Sequence, residues 1–132
     1  HTGYGPSGNH QQNMERANAS VLAIAQIETV EGVRNCDEIL SVEGLDAAII
    51  GPCDLAISMG EPDNVGCDEE LALIDEVRDA CKKHGKGFGI IGGNALLARY
   101  ANDINFMVSA IDTHILRDSF AAAVDDYRKI GE

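Results

Sequence analysis

Two carboxylates follow neighbouring apolar runs of this chain. Residues 21–27 form the first run and lead directly to Glu28, while residues 45–51 form the second, and Asp54 comes three positions later. A buried strand that delivers an acid at its carboxyl end is the usual way in which an α/β protein places a metal ligand. Two such acids make an oxygen-rich site that suits Mg²⁺ or Mn²⁺ and leaves positions open for a substrate. We therefore predict a metal pair; the alternative is that both acids cap helices.

Gln26 and Cys53 lie beside these acids in the sequence. Gln26 precedes Glu28 by two positions, so both side chains point to the same side of a strand. Gln26 could bond a substrate oxygen or, as a polar core residue, the backbone. Cys53 is not expected to be a nucleophile, because no His within a few residues could activate it. Its backbone N–H and that of Asp54 could lead a short helix and hold a carboxylate.

Three other features have plainer interpretations. Gly92, Gly93 and Asn94 are too short a run for a dinucleotide fingerprint, and they predict a strand-to-helix turn with close backbone approach. Glu70 lies in the first turn of a predicted long helix, where an acid matches the helix dipole. His114 lies in the first turn of the last predicted helix, and a helix-surface position is favoured over a role in an active site.

The elements that must position these residues alternate between strand and helix. Apolar runs predict strands at 21–27, 45–51, 87–91 and 106–111, and the segments between and after them predict helices at 30–42, 68–84, 94–101 and 112–130. Residues 54–60 are predicted to be a short helix or a turn. Four strand-helix units with apolar strands indicate a parallel α/β sheet that helices cover. They could form a small doubly wound sheet or half of an eight-stranded barrel. The barrel's ~250 residues would account for a chain that starts at His1. Residues 1–20 are predicted to be a loop with a short helical piece at 12–17.

Composition excludes several classes of protein. The 132 residues allow at most one domain, here predicted as a single partial domain over 1–132. A formal charge of −12 argues against nucleic acid and anionic membranes as partners. No apolar run approaches the ~20 residues of a membrane helix. The four cysteines lack zinc spacing and CxxC pairs, so we interpret them as reduced thiols of a cytoplasmic protein.

Three segments carry a family resemblance. They are AQIET at 25–29, VEGLD at 42–46 and IGPCDLAISMG at 50–60. At these spacings they resemble the HpcH/HpaI aldolases, which are metal-dependent class II pyruvate aldolases such as 4-hydroxy-2-oxoheptanedioate aldolase and 2-dehydro-3-deoxyglucarate aldolase. The resemblance covers nearly all of the chain from Val21 onward. It implies a (β/α)₈ TIM barrel of the phosphoenolpyruvate/pyruvate type, of which this chain is similar to the C-terminal half, strands five to eight.

The resemblance also implies roles for the four candidate residues. Glu28 and Asp54 would bind Mg²⁺ or Mn²⁺, and Gln26 and Cys53 would contact the pyruvate moiety. The family usually has a small residue such as Ala or Ser at the Cys53 position. The implied reaction is reversible aldol cleavage of a 4-hydroxy-2-oxo acid to pyruvate and an aldehyde through a metal-stabilised pyruvate enolate, without a lysine Schiff base.

One departure from the family limits the expected activity. The family's general-base His and substrate-binding Arg come from the first half of the barrel, and nothing in these residues replaces them, so we expect the chain alone to be inactive. The family also implies a homo-oligomer with the last helix at subunit contacts. Two alternatives remain open at this point: a CoA-ester lyase of the citrate lyase β or malyl-CoA lyase type, and a non-catalytic fragment or assembly subunit. Half a barrel would leave its first and last strands as exposed edges.

Overall fold

A parallel sheet forms the centre of the computed structural model, which describes residues 9–108 and 110–130. Its four strands lie in chain order, each parallel to the next: β1 (Ile24–Ile27), β2 (Ala47–Ile50), β3 (Gly87–Ile91) and β4 (Phe106–Val108). The order has none of the reversal at which a doubly wound sheet divides into halves. It is the order of consecutive barrel strands, and it favours the half-barrel over the doubly wound alternative.

Helices follow each strand, as the alternating pattern predicts. They are α1 (His10–Ser20), α2 (Val30–Arg34), α3 (Cys36–Ser41), α4 (Pro52–Met59), α5 (Asp68–His84), α6 (Asn94–Arg99) and α7 (Asp112–Lys129). None of these helices combines the length and apolar character that crossing a bilayer requires, within the residues that the structure describes.

Two predictions about helices are wrong. The single helix predicted over 30–42 is divided at Asn35, which leaves helical geometry at φ −97° and ψ 6°; Asn is a poor interior residue because its side chain competes for backbone bonds. The loop predicted at 10–11 and 18–20 is wrong, because α1 covers 10–20, whereas the helical piece predicted at 12–17 is confirmed within it. Asn9 caps α1 by accepting the Gln11 N–H at 3.0 Å. Residues 1–8 lie outside the described residues, as does Ser109 in the predicted fourth strand.

The core lies between the sheet and the helices α2, α3 and α5. Leu40, Ile50, Ile74 and Ile90 are fully buried there. The periodicity of the sequence predicts this face of α5 correctly, since Ile74, Val77 and Cys81 are all buried. Burial of such apolar side chains is the main stabilising contribution to a small domain.

The two outer strands are exposed edges, as expected for half a barrel. The prediction that residues 21–27 form a strand buried on both faces is wrong, because β1 begins only at Ile24, and both Ile24 and Gln26 are exposed. Among the described residues, β1 pairs with β2 alone. Val21 and Leu22 are 67% and 69% exposed. Helix α7 is likewise exposed along its whole length, including its apolar residues Ile115 and Phe120.

A glycine allows β4 to lie close against β3. Gly89 pairs with Phe106 in the parallel register, and a Cβ on Gly89 would come within 2.5 Å of the Phe106 ring. Only a residue without a side chain permits this approach. On the same strand, Phe88 packs its ring edge-to-face against Tyr100 at a centroid distance of 5.9 Å. Together these contacts hold the β3–β4 side of the sheet.

Candidate active site

Glu28 and the residues around Asp54 start from the same edge of the sheet. Ile27 of β1 pairs with Ile50 of β2, so the chain leaves both strands at adjacent points. Gln26 and Glu28 lie on one side of their strand as predicted, because the Gln26 Nε2 donates to Glu28 Oε2 at 2.6 Å. A hydrogen bond of this length to a carboxylate is charge-assisted and fixes the acid's orientation. In the structure, the Gln26 side-chain amide therefore donates to Glu28.

Gly51 makes room for this pair. A Cβ on Gly51 would lie 3.1 Å from Glu28 Oε2 and 3.3 Å from Gln26 Nε2. Gly51 is buried, and its N–H donates to the Ile27 carbonyl at 3.2 Å, which joins the two strand ends. Its φ of −102° is open to any residue, so the need for glycine here is a matter of space. The sequence alone gave no sign of this close contact.

Cys53 and Asp54 lie in the first turn of α4, which starts two residues earlier than predicted. Gly51 is the N-cap without a side-chain bond, Pro52 is the first helical residue, and the Leu55 N–H donates to the Gly51 carbonyl at 3.0 Å. The amides of Cys53 and Asp54 precede that first bond, so they belong to the open donors at the positive end of the helix. This arrangement can hold a carboxylate, as the sequence predicts.

Neither acid is a helix cap. Asp54 is the third residue of α4, whose N-cap is Gly51. The helix that follows Glu28 is capped by Thr29, whose Oγ1 accepts the Gly32 N–H at 3.0 Å. The capping alternative for the two acids is therefore wrong. Their side chains are available for another use: Asp54 is exposed and Glu28 is half-buried.

A cleft of about 910 Å³ runs along the carboxyl ends of all four strands. Its size is that of a site for a small organic ligand. The predicted residues Gln26, Cys53 and Asp54 line it, and Glu28 is bonded to one of them. The other polar and loop residues that line it come from the β3 and β4 ends and from the connections between helices: Val65, Gly66, Gly92, Gly93, Asn94, Arg99 and His114.

Sequence reasoning undervalued His114, whereas it predicted part of the behaviour of the Gly92–Gly93 turn. His114 follows β4 as Asp54 follows β2, in the first turn of the next helix, and this parallel placement was a signal for its position in the cleft. Gly92 does approach its neighbours closely, since a Cβ there would lie 3.1 Å from Leu96 Cδ2, whereas one on Gly93 would meet nothing within 4 Å. The close-approach prediction thus holds for Gly92 alone.

The donor set fits a hard divalent cation. Glu28 and Asp54 supply carboxylate oxygens from neighbouring strand ends, and Mg²⁺ commonly uses one or two carboxylates while retaining water. Within residues 9–108 and 110–130, no cluster of three or more His, Cys, Asp or Glu side chains could hold a metal. A cation bound here would have coordination positions left for a bidentate ligand.

Comparison with known proteins identifies the family. The sequence profile described as HpcH/HpaI aldolase/citrate lyase matches residues 7–112. The chain belongs to this family. Among curated HpcH/HpaI relatives, the hydroxypyruvate/pyruvate aldolase of Rhizorhabdus wittichii is 35% identical over 121 residues, which are 89% of this chain and 48% of that protein. The 2-keto-3-deoxy-L-rhamnonate aldolase of Salmonella paratyphi B is 30% identical over 119 residues, 89% of this chain and 45% of that protein.

Solved HpcH/HpaI structures agree with this assignment. The HpcH/HpaI aldolase from Desulfitobacterium hafniense superposes with a TM-score of 0.79 at 25% identity, covering 96% of this chain and 50% of that one. The chain spans about half the length of the relatives it matches. The resemblance to the family and the prediction of a partial (β/α)₈ barrel are both confirmed.

Proposed function

We propose that this chain supplies the metal- and pyruvate-binding half of a divalent-metal-dependent aldolase that cleaves 4-hydroxy-2-oxo acids to pyruvate and an aldehyde. One observation carries the proposal: Glu28 and Asp54 leave adjacent strand ends at one edge of the sheet, beside a bonded Gln26 and the open amides of α4. The curated relatives that match the chain are aldolases.

Each residue has a distinct role in this proposal. Glu28 and Asp54 would hold Mg²⁺ or Mn²⁺, which would supply a Lewis acid for the negative charge that develops when the C–C bond breaks. The Cys53 and Asp54 amides bind the carboxylate of the 2-oxo acid at the positive end of α4. Gln26 orients the Glu28 carboxylate through its 2.6 Å hydrogen bond. Cys53 acts through its backbone N–H, and its thiol lies in the cleft.

The chain alone is proposed to bind metal weakly and not to turn over. The family resemblance assigns the general-base His and a substrate-binding Arg to the other half of the barrel. A metal pair without a base can hold a 2-oxo acid but lacks the group that moves its proton. Binding measurements on the chain are therefore the appropriate first test.

The molecular context forms the second part of the proposal. We propose a homo-oligomer in which α7 packs against a second copy, because α7 is exposed along its length and carries apolar residues such as Phe120 (70% exposed). A cytoplasmic location is supported by cysteines that are free in the described part of the chain. The net charge of −12 supports the absence of nucleic acid among the partners.

Thiol protection tests the metal and pyruvate site directly. Cys53 is exposed in the cleft, so its rate of alkylation should fall when Mn²⁺ and pyruvate are added together. The variants Glu28→Gln and Asp54→Asn should lose this protection. Glu43→Gln is a matched control, because Glu43 is an exposed acid before β2, at the opposite edge of the sheet. Protection that survives in both acid variants would show that the two carboxylates do not hold the ligand.

The same assay separates the alternatives. Protection by malyl-CoA with Mg²⁺, but none by pyruvate, would favour the CoA-ester lyase; citrate lyase is part of the family description. A lack of protection of Cys53 by any of these ligands, even at millimolar concentration, would favour a non-catalytic fragment or assembly subunit.

A further inference from the structure

Glu70 is a buried acid that the proposed chemistry does not use. Its side chain is completely buried, and it is the one polar or charged residue in the buried set of the described residues. Oε2 accepts the backbone N–H of Gly66, while Oε1 is buried and has no partner among the described residues. An acid that merely matched the helix dipole would remain in water, because burying a carboxylate is costly. The burial therefore calls for a specific function.

The segment that Glu70 holds forms one side of the cleft. Residues 61–65 are exposed and lie between two left-handed glycines, Gly60 at φ +84° and Gly66 at φ +86°. Val65 and Gly66 line the cleft together with Leu71, the residue after Glu70. We call Val65, Gly66 and Leu71 the cleft wall.

The cleft wall depends on few other bonds. Two bonds are local to the loop: the Asn64 N–H donates to the Glu61 carbonyl at 3.0 Å, and the Cys67 N–H donates to the Asn64 carbonyl at 3.1 Å. Leu71 is held in α5 by its N–H, which donates to the Cys67 carbonyl at 2.9 Å, and its carbonyl accepts from the Tyr100 hydroxyl at 3.3 Å. The Glu70 carboxylate therefore joins the exposed loop to the fixed helix. A buried, charge-assisted bond is well suited to this task.

We propose that Glu70 is a positioning residue that holds the cleft wall in the shape needed to bind the ligand. It does not touch the ligand itself and acts through the Gly66 N–H. Val65 and Leu71 are apolar residues that line the cleft, so the wall suits the carbon chain of a bound acid rather than its oxygens. That the ligand is a 2-oxo acid rests on the proposed function. The restraint of Gly66 by Glu70 is independent of it, because it rests on the hydrogen bond between these two residues.

Two variants and one matched control test this proposal. Glu70→Met keeps the length of the side chain and removes the acceptor, whereas Glu70→Gln keeps one acceptor oxygen. Glu69→Gln is the control, because Glu69 is the exposed acid of the same helical turn. The first readout is amide hydrogen exchange at Gly66 in the free chain. The second is the pyruvate concentration that halves Cys53 alkylation at fixed Mn²⁺.

The expected results separate positioning from general stability. Glu70→Met should speed exchange at Gly66 by about tenfold or more, the effect of losing a hydrogen bond to a charged group, while exchange at Val77 in the buried part of α5 changes little. The half-protecting pyruvate concentration should rise in Glu70→Met, stay close to wild type in Glu70→Gln, and be unchanged in Glu69→Gln.

Two results would overturn the proposal. Wild-type exchange at Gly66 in Glu70→Met would show that the carboxylate does not restrain the loop. Faster exchange at Gly66 with wild-type pyruvate protection would show that the wall does not matter for binding. If Glu70→Met does not fold, Glu70→Gln provides the test. Weaker pyruvate protection in Glu70→Gln, with exchange at Gly66 as slow as in the wild type, would contradict positioning through the Gly66–Glu70 hydrogen bond. If Mn²⁺ and pyruvate do not protect Cys53 from alkylation in the wild type, the proposed function is refuted. The exchange rate at Gly66 would still show whether Glu70 restrains the loop.

Discussion

A single methyl group at Gly51 should disturb the candidate metal site. In Gly51→Ala the new Cβ would lie 3.1 Å from Glu28 Oε2 and 3.3 Å from both Gln26 Nε2 and Glu28 Cβ. These separations are shorter than the ~3.5–4.0 Å at which nonbonded carbon contacts are most favourable. The backbone of Gly51 has φ −102° and ψ 88°, so alanine adds no left-handed strain. Either Glu28 moves away from the strand end or the two strand ends separate.

The two consequences differ in size. Overpacking of this kind costs about 1–3 kcal/mol, and the lower entropy of alanine in the unfolded chain offsets ~0.4–1 kcal/mol. We therefore expect the free energy of unfolding to fall by only about 1 kcal/mol. The Gln26–Glu28 bond orients a carboxylate that we propose binds the metal, and losing such support around a metal ligand reduces metal affinity by about 10–100-fold. Metal affinity is thus the more sensitive measure.

The assay combines Mn²⁺ titration with the NMR signal of the Gln26 side-chain amide, which reports the bond to Glu28 without metal. Gly93→Ala is the matched control, because Gly93 lines the same cleft, has φ −79° and would place its Cβ within 4 Å of nothing. Gly51→Ala should shift the amide signal and weaken Mn²⁺ binding, whereas Gly93→Ala should change neither. Wild-type affinity in Gly51→Ala, or an equal loss in Gly93→Ala, would refute the argument from crowding.

Three further predictions follow from the core and from the thiols. Gly89→Ala should lower the free energy of unfolding in urea by about 3 kcal/mol through the 2.5 Å contact with the Phe106 ring, and Phe106→Leu should recover part of it; the absence of recovery would place the cost elsewhere. Burial raises the pKa of the Cys81 thiol from 9.0 to about 11. The buried neutral thiol therefore contributes about 2–3 kcal/mol to the free energy of unfolding below pH 9, and this contribution is lost as the pH rises from 9 toward 11. Urea unfolding of Cys81→Ala should lack this loss of stability, and an equal loss in the variant would contradict the assignment to Cys81. In the native chain, exposed Cys53 should react with a thiol reagent long before buried Cys81, and equal mass-spectrometric labelling rates would disprove the burial of Cys81.

The positions of the strands, and the placement of Glu28 and Asp54 just past two neighbouring strands, could be predicted because their signals are local. A run such as 45–51 is too short for a helix and nearly all apolar, and the structure places β2 within it. The carboxyl ends of parallel strands meet at one edge, so two acids just past two strands had to be neighbours. The bounds of α5 were predictable for the same reason, from acids at its start, basic residues at its end and Gly85 at φ +63°.

The features that sequence reasoning missed depend on contacts between distant residues. Whether Glu70 faces water or the loop at Gly66 depends on how that loop folds back over the helix. Whether Gly51 must be glycine depends on which way Glu28 turns in the neighbouring strand. The break at Asn35 separates two helices whose buried residues, Val33 and Cys36, still follow one helical period, so hydrophobic periodicity could not reveal it.

Burial across the sheet shows how the site relates to the rest of a barrel. The inner strands β2 and β3 are largely buried, whereas β1 and β4, at the outer edges, are mostly exposed. In a closed barrel every strand has two neighbours, so the exposed edges are the positions at which further strands would pair. Gln26 lies on edge strand β1 and His114 follows edge strand β4. We therefore expect a group that completes the proposed site to approach across one of these two outer strands.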